Sequence, residues 1–169
     1  MKLTPRLFFS ALATTCLGLL AYGYYLQYFE HLEPCPMCIF QRLCFMAVAV
    51  IAIVGALHGP RGRGVLAYLA SIGVFAVTGA GIAARQTWLQ HLPPELVPEC
   101  GPGLEFMLEM YPLLETLERA LKGTGDCAEV SWRFLSLSIA EWSFVCFTTI
   151  LLAAAWQTWK YVGGKLTPG

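Results

Sequence analysis

A chain of 169 residues in which 57% of the side chains are hydrophobic and only 13% are charged carries more apolar surface than a soluble domain of that size buries in one core. A formal net charge of +0 leaves none of the basic surplus with which a nucleic-acid binder neutralises phosphates, so a nucleic-acid partner is not expected. A membrane is the solvent that this composition fits.

The first uncharged stretch, residues 7–29, exceeds the roughly 20 apolar residues that cross about 30 Å of hydrocarbon. Lys2 and Arg6 ahead of it also suit a cleaved signal peptide. The run is long for a signal core, however, and it ends in Tyr22, Tyr24, Tyr25, Tyr28 and Phe29, which suits an interfacial belt; it is read as a spanning helix. The second stretch, 43–57, is short unless the helix begins near Cys35, which places Arg42 one or two turns inside it. The third, 65–84, spans alone. After it come Pro93, Pro94, Pro98 and Pro102, which favour extended or turned chain. Leu104, Met107, Leu108, Tyr111, Leu114, Leu117 and Leu121 then recur at helical spacing opposite Glu105, Glu109, Glu115 and Arg119. An amphipathic helix, broken or kinked near Pro112, is expected there, either flat on the outer leaflet or packed on the bundle tops. The stretch 142–159 is the fourth span.

The expected fold is therefore an all-α membrane protein: a four-helix transmembrane bundle forming a single integral domain over 1–169, with spans about 7–29, 38–57, 65–85 and 142–160 and outer loops about 30–37 and 86–141. Charge placement orients it. Lys2, Arg6, Arg61, Arg63, Lys160 and Lys165 share one side with no acid, whereas all 11 Asp and Glu residues fall on the other. Basic short loops stay cytoplasmic, so both termini are expected inside and the acidic loops in an oxidising compartment, in a bacterium the periplasm.

Cys16, Cys44 and Cys146 sit among apolar neighbours inside spans, where cysteine serves as a small hydrophobe. Cys35, Cys38, Cys100 and Cys127 map to the outer side, and four cysteines in an oxidising compartment suggest two disulfides. Cys35-Pro36-Met37-Cys38 opens the second helix, whose N-terminus and a nearby cation favour a thiolate. Arg42 lies four residues beyond Cys38, on the same helical face. Its functional reading is to stabilise that thiolate and to bond the oxygen of a reducible head group; its structural reading is an arginine snorkelling to water. Structural zinc is disfavoured because Cys100 and Cys127 lack a second paired spacing, and c-type haem because Ile39, not His, follows the motif. Cys100 and Cys127 each lie among glycine, proline and polar residues, where a disulfide is open to an attacking thiolate. Oxidising a dithiol releases two electrons and two protons. With no haem, flavin or metal motif in the sequence, a membrane quinone is the acceptor expected at that depth.

These residues together resemble the DsbB family of bacterial inner-membrane thiol oxidases over essentially the whole chain. The resemblance rests on the four spans, on Cys35-Pro36-Met37-Cys38 followed by Gln41 and Arg42, and on a long second outer loop holding Cys100 and Gly125-Asp126-Cys127-Ala128-Glu129. It implies redox-active disulfides Cys35–Cys38 and Cys100–Cys127; the sequence itself leaves open a rearranged resting pairing such as Cys35 with Cys127. It further implies a route: a reduced periplasmic thioredoxin-fold oxidase of the DsbA type attacks at Cys100, electrons pass to Cys35–Cys38, and Cys38, aided by Arg42, delivers them to ubiquinone or menaquinone. Gln41 stands where the family carries an acid and Gln86 where it carries His; Gln41, Gln86 and Gln90 are candidates to bond a quinone oxygen. Two rivals are weighed. A reductase resembling vitamin K epoxide reductase has its quinone-facing C-x-x-C late in the chain, unlike Cys35–Cys38, and a structural membrane protein would use its disulfides only as loop staples.

Overall fold

A computed structural model of the chain describes residues 4–98 and 104–166. Helix α1 (Pro5–Phe29) begins where the Thr4 hydroxyl accepts the Leu7 N–H at 3.4 Å and Pro5 fills the first turn, a place where its missing N–H costs nothing. Helix α2 (Pro36–His58) also opens on proline, and its cap is the Cys35 sulfur. Helix α3 (Arg63–Gln90) runs past the expected end near residue 85, because no breaker occurs before Pro93. At about 1.5 Å per residue it outreaches a 30 Å hydrocarbon layer, which carries Gln86 and Gln90 toward the loops. A short 3-10 turn (Pro94–Leu96), α4 (Leu104–Met110), α5 (Leu113–Lys122) and α6 (Gly125–Ala128) follow, and Pro112 separates α4 from α5. Helix α7 (Ile139–Leu166) completes the chain. Its start is a reciprocal cap: Ser138 Oγ accepts the Glu141 N–H at 3.3 Å, and Glu141 accepts the Ser138 N–H at 2.6 Å.

Among the described residues, α1, α2, α3 and α7 are the four helices long and apolar enough to cross a membrane, in agreement with the all-α bundle expected from the sequence. The one departure is a small antiparallel hairpin, β1 (Arg133–Phe134) with β2 (Leu137–Ser138). Leu135 and Ser136 turn it with φ of 50° and 68°. Two left-handed residues make the tight turn that matches strand twist, but neither is the glycine or asparagine that announces such a turn.

One core runs through the bundle, with Phe9 and Cys16 of α1, Phe45 and Val48 of α2, Ile72 of α3 and Phe147 of α7 all buried. The Phe45 and Phe147 rings stack at 4.0 Å. Phe147 fits because Gly79 of α3 has no side chain; a Cβ there would overlap its ring. Gly79→Ala is therefore expected to cost about 1–3 kcal/mol and to lower the thermal midpoint in detergent. Gly73→Ala, whose Cβ meets nothing within 4 Å, serves as the control and should not lower it.

At one end of the bundle, α5 lies across α2 and α3 with Thr116 and Ala120 buried, while Leu113 and Leu114 stay 75% and 78% exposed. Gly123 then turns with φ of 88° against Leu89 and Met37, where no side chain would fit. That close approach brings α6, and Cys127 with it, to the start of α2.

Candidate active site

The Cys35 and Cys38 sulfurs are thiols in contact at 3.0 Å. Cys35 is the N-cap of the helix and Cys38 lies in its first turn, so both stand at the same end; the Cys38 N–H points to the Cys35 sulfur at 3.4 Å. Gln86 approaches from α3. Its amide nitrogen donates to Cys35 at 3.3 Å and to Cys38 at 3.2 Å, while its oxygen accepts from Gln41 at 2.7 Å. Gln41 thereby turns the nitrogen of Gln86 toward the sulfurs. Both glutamines are buried, 2% and 3% exposed, so neither amide has water as an alternative partner.

Cys127 completes the cluster. Fully buried beside Cys35, Met37 and Leu89, it accepts hydrogen bonds from the Cys35 thiol, from the Met37 backbone at the N-terminus of α2, and from Thr124. The Cys35 bond is the largest influence, and together they pull the Cys127 thiol from an ordinary 9.0 down to about 6. Cys35 shifts upward for the complementary reason: it keeps the proton it shares with Cys127, and Cys38 and burial add to that. In the reduced protein Cys127 should be a thiolate above about pH 6. The ultraviolet thiolate absorbance lost in a Cys127→Ser variant should therefore titrate near pH 6, and Cys35→Ala should carry that inflection back toward 9.0.

On the other side of Cys38, α1, α2, α7 and the hairpin enclose a cavity of about 410 Å³. Cys38, Gln41 and Arg42 form one wall, Leu26 another, and Trp132, Phe134 and Trp142 the roof. The indole of Trp142 donates to the Phe134 carbonyl at 3.0 Å, fixing the hairpin over the opening. Arg42 is the one charged side chain lining the cavity among the described residues. Its guanidinium donates to Gln27 and, at 3.0 Å, to the Gly23 carbonyl, and it lies 5.1 Å from the Tyr24 ring. Polar company of that kind lets an arginine stand at the border of hydrocarbon.

Of the residues singled out in the sequence, Cys35, Cys38, Cys127, Gln41 and Gln86 form one hydrogen-bonded group. Arg42 and Gln41 reach the cavity, whereas Gln86 and Gln90 do not line it. Gln90 instead accepts from the Ser138 hydroxyl at 2.7 Å, tying α3 to the start of α7. Cys100 lies outside the described residues. Cys16 and Cys44 are core filler as read, but Cys146 borders the cavity. Gln27 escaped the sequence reading, although it is the one amide in α1 and stands four residues after Gly23.

The family model for "Disulfide bond formation protein DsbB" matches residues 5–157. The chain belongs to the DsbB family. It is 51% identical to disulfide bond formation protein B of Azoarcus sp. (strain BH72) over 89% of this chain and 90% of that one. With the protein of the same name from Aromatoleum aromaticum identity is 50%, over 95% and 96% of the two chains, and with that of Nitrosococcus oceani 43%, over 99% and 100%. DsbB membership makes the chain a multi-pass membrane disulfide oxidoreductase with redox-active cysteines, and Cys35 with Cys38 is a sulfur pair already in contact.

Proposed function

We propose that the chain is a bacterial inner-membrane thiol:quinone oxidase that reoxidises a periplasmic DsbA-type protein and so sustains disulfide formation. The observation that carries the reading is the double membership of Cys38, whose sulfur touches Cys35 and Gln86 and also lines the cavity beside Arg42.

The thiolate of the partner attacks the Cys100–Cys127 disulfide at Cys100, a mixed disulfide forms, and Cys127 leaves as a thiolate that hydrogen bonds from the Met37 backbone and Thr124 stabilise. Cys127 lies against Cys35, so it attacks there; the Cys35–Cys38 bond breaks, a Cys35–Cys127 bond forms, and Cys38 is released as a thiolate at the cavity wall. Gln86 solvates that sulfur and holds it in place. The cavity suits a quinone head group: its volume is in the range of small-molecule sites, its walls are mostly aromatic and aliphatic, and Arg42 offers donors to a carbonyl oxygen. A quinone held there, ubiquinone or menaquinone, would supply the acceptor for two electrons and two protons. The partner's second thiol resolves the mixed disulfide and frees Cys100, whose thiolate attacks Cys127, re-forms the Cys100–Cys127 bond and releases Cys35; Cys35 and Cys38 then close their own bond by giving up two electrons and two protons. The sum is one dithiol and one quinone converted to one disulfide and one quinol.

The test is purified protein with a reduced thioredoxin-fold partner. Thiol oxidation should require added quinone, and a partner stripped of its second, resolving thiol should accumulate as an adduct on Cys100. If oxidation proceeds equally without quinone, or no adduct forms on Cys100, the proposal fails. An impermeant thiol reagent applied to reduced intact cells should label the outer cysteines from the periplasmic side.

A further inference from the structure

On the flank of α2 opposite the cavity, the surface between α2 and α3 holds a groove of about 530 Å³ that the activity leaves unused. Phe40 of α2 and Val74 and Gly81 of α3 form its sides and floor, and Leu117 and Leu121 of α5 close it from above. From Val74 to Arg85 it follows α3 for about 16 Å at 1.5 Å per residue, close to half of a 30 Å hydrocarbon layer and hence one leaflet deep. Arg85 ends the groove and is shared with a neighbouring hollow of about 460 Å³ that is also bordered by Arg119 and Lys122.

The charges there are unequal in their commitments. Arg119 pairs with Glu115 at 2.8 Å and Lys122 with Glu118 at 2.8 Å. Arg85 pairs with no carboxylate among the described residues: it donates to the Lys122 carbonyl at 3.2 Å and lies 4.3 Å from the Trp88 ring. It therefore keeps donors for an anion at the level where a tryptophan marks the interface. A slot one leaflet deep, roofed by an amphipathic helix and headed by an arginine with no counter-ion among the described residues, has the shape and charge of one lipid.

We propose that this groove is a specific site for an anionic glycerophospholipid of the leaflet on the cysteine side, with one acyl chain along α3 beneath α5 and the phosphate at Arg85. The lipid would bridge α5, which leads directly into the Cys127 segment, to the spanning helices. A zwitterionic lipid fits less well because its own ammonium offsets the phosphate that Arg85 attracts.

The experiment is native mass spectrometry of the full chain released from phosphatidylcholine nanodiscs doped with phosphatidylglycerol. Wild type should retain one phosphatidylglycerol in preference to phosphatidylcholine. Gly81→Leu should abolish retention by filling the groove, since a Cβ at Gly81 meets no protein atom within 4 Å. Arg85→Gln should weaken it about tenfold, the worth of one charge-assisted bond, and Arg85→Lys should keep it. Equal retention of both lipids, equal retention by all variants, or a quinone held in the groove in place of lipid would each overturn the proposal. Should Gly81→Leu fail to fold, the comparison of Arg85→Gln with Arg85→Lys decides alone.

Discussion

Cys38→Ser is expected to lower quinone-dependent thiol oxidation by at least about 10³-fold, as loss of a group acting within a catalytic unit does. Serine preserves the fit, because its hydroxyl still bonds the Gln86 amide that holds Cys38 at 3.2 Å. What it removes is the sulfur that connects the thiol cluster to the cavity. Cys35 should then be captured by Cys127, its remaining neighbour, and the Cys35–Cys127 disulfide should be visible by mass spectrometry after one exposure to oxidised outer cysteines. Substantial turnover in this variant would mean that electrons leave by another route.

Arg42→Met is expected to reduce kcat/KM for quinone by about 10²–10³, the usual cost of losing a donor aimed at a developing oxyanion. The rate at which partner adds to Cys100 should stay unchanged, because Arg42 has no contact with Cys127 or Cys35 in the hydrogen-bonded group. Arg42→Lys should recover only part of the loss. A single ammonium cannot reach Gln27, the Gly23 carbonyl and a ligand oxygen in the fixed fork that a guanidinium provides. Quinone saturation curves on matched variants separate the two effects.

The bundle was legible because spanning length and absence of charge are properties of contiguous residues, and the Cys35–Cys38 motif was legible because its geometry is local to one helix turn. What escaped the sequence was everything fixed by approach between distant segments. Gln86 was read as a contact for an oxygen, yet its amide is aimed at sulfur because Gln41, forty-five positions earlier, holds its other end. Gln27 became visible only once α1 was laid against Arg42. The hairpin at Leu135 and Ser136 carries no glycine to announce it, and so the aromatic roof of the cavity went unread. Cys127 could be assigned to the outer side, but its place against Cys35 depends on how Gly123 nests on Leu89.

Arg42 has a consequence beyond any single bond. Its described partners, Gln27 and the Gly23 carbonyl, are neutral, so the full positive charge persists in a wall of low polarity where fields are weakly screened. A fixed cation stabilises whichever state of a nearby molecule carries more negative charge. The chamber itself therefore selects for an occupant that takes on negative charge beside Arg42 over one that stays neutral or carries a positive charge.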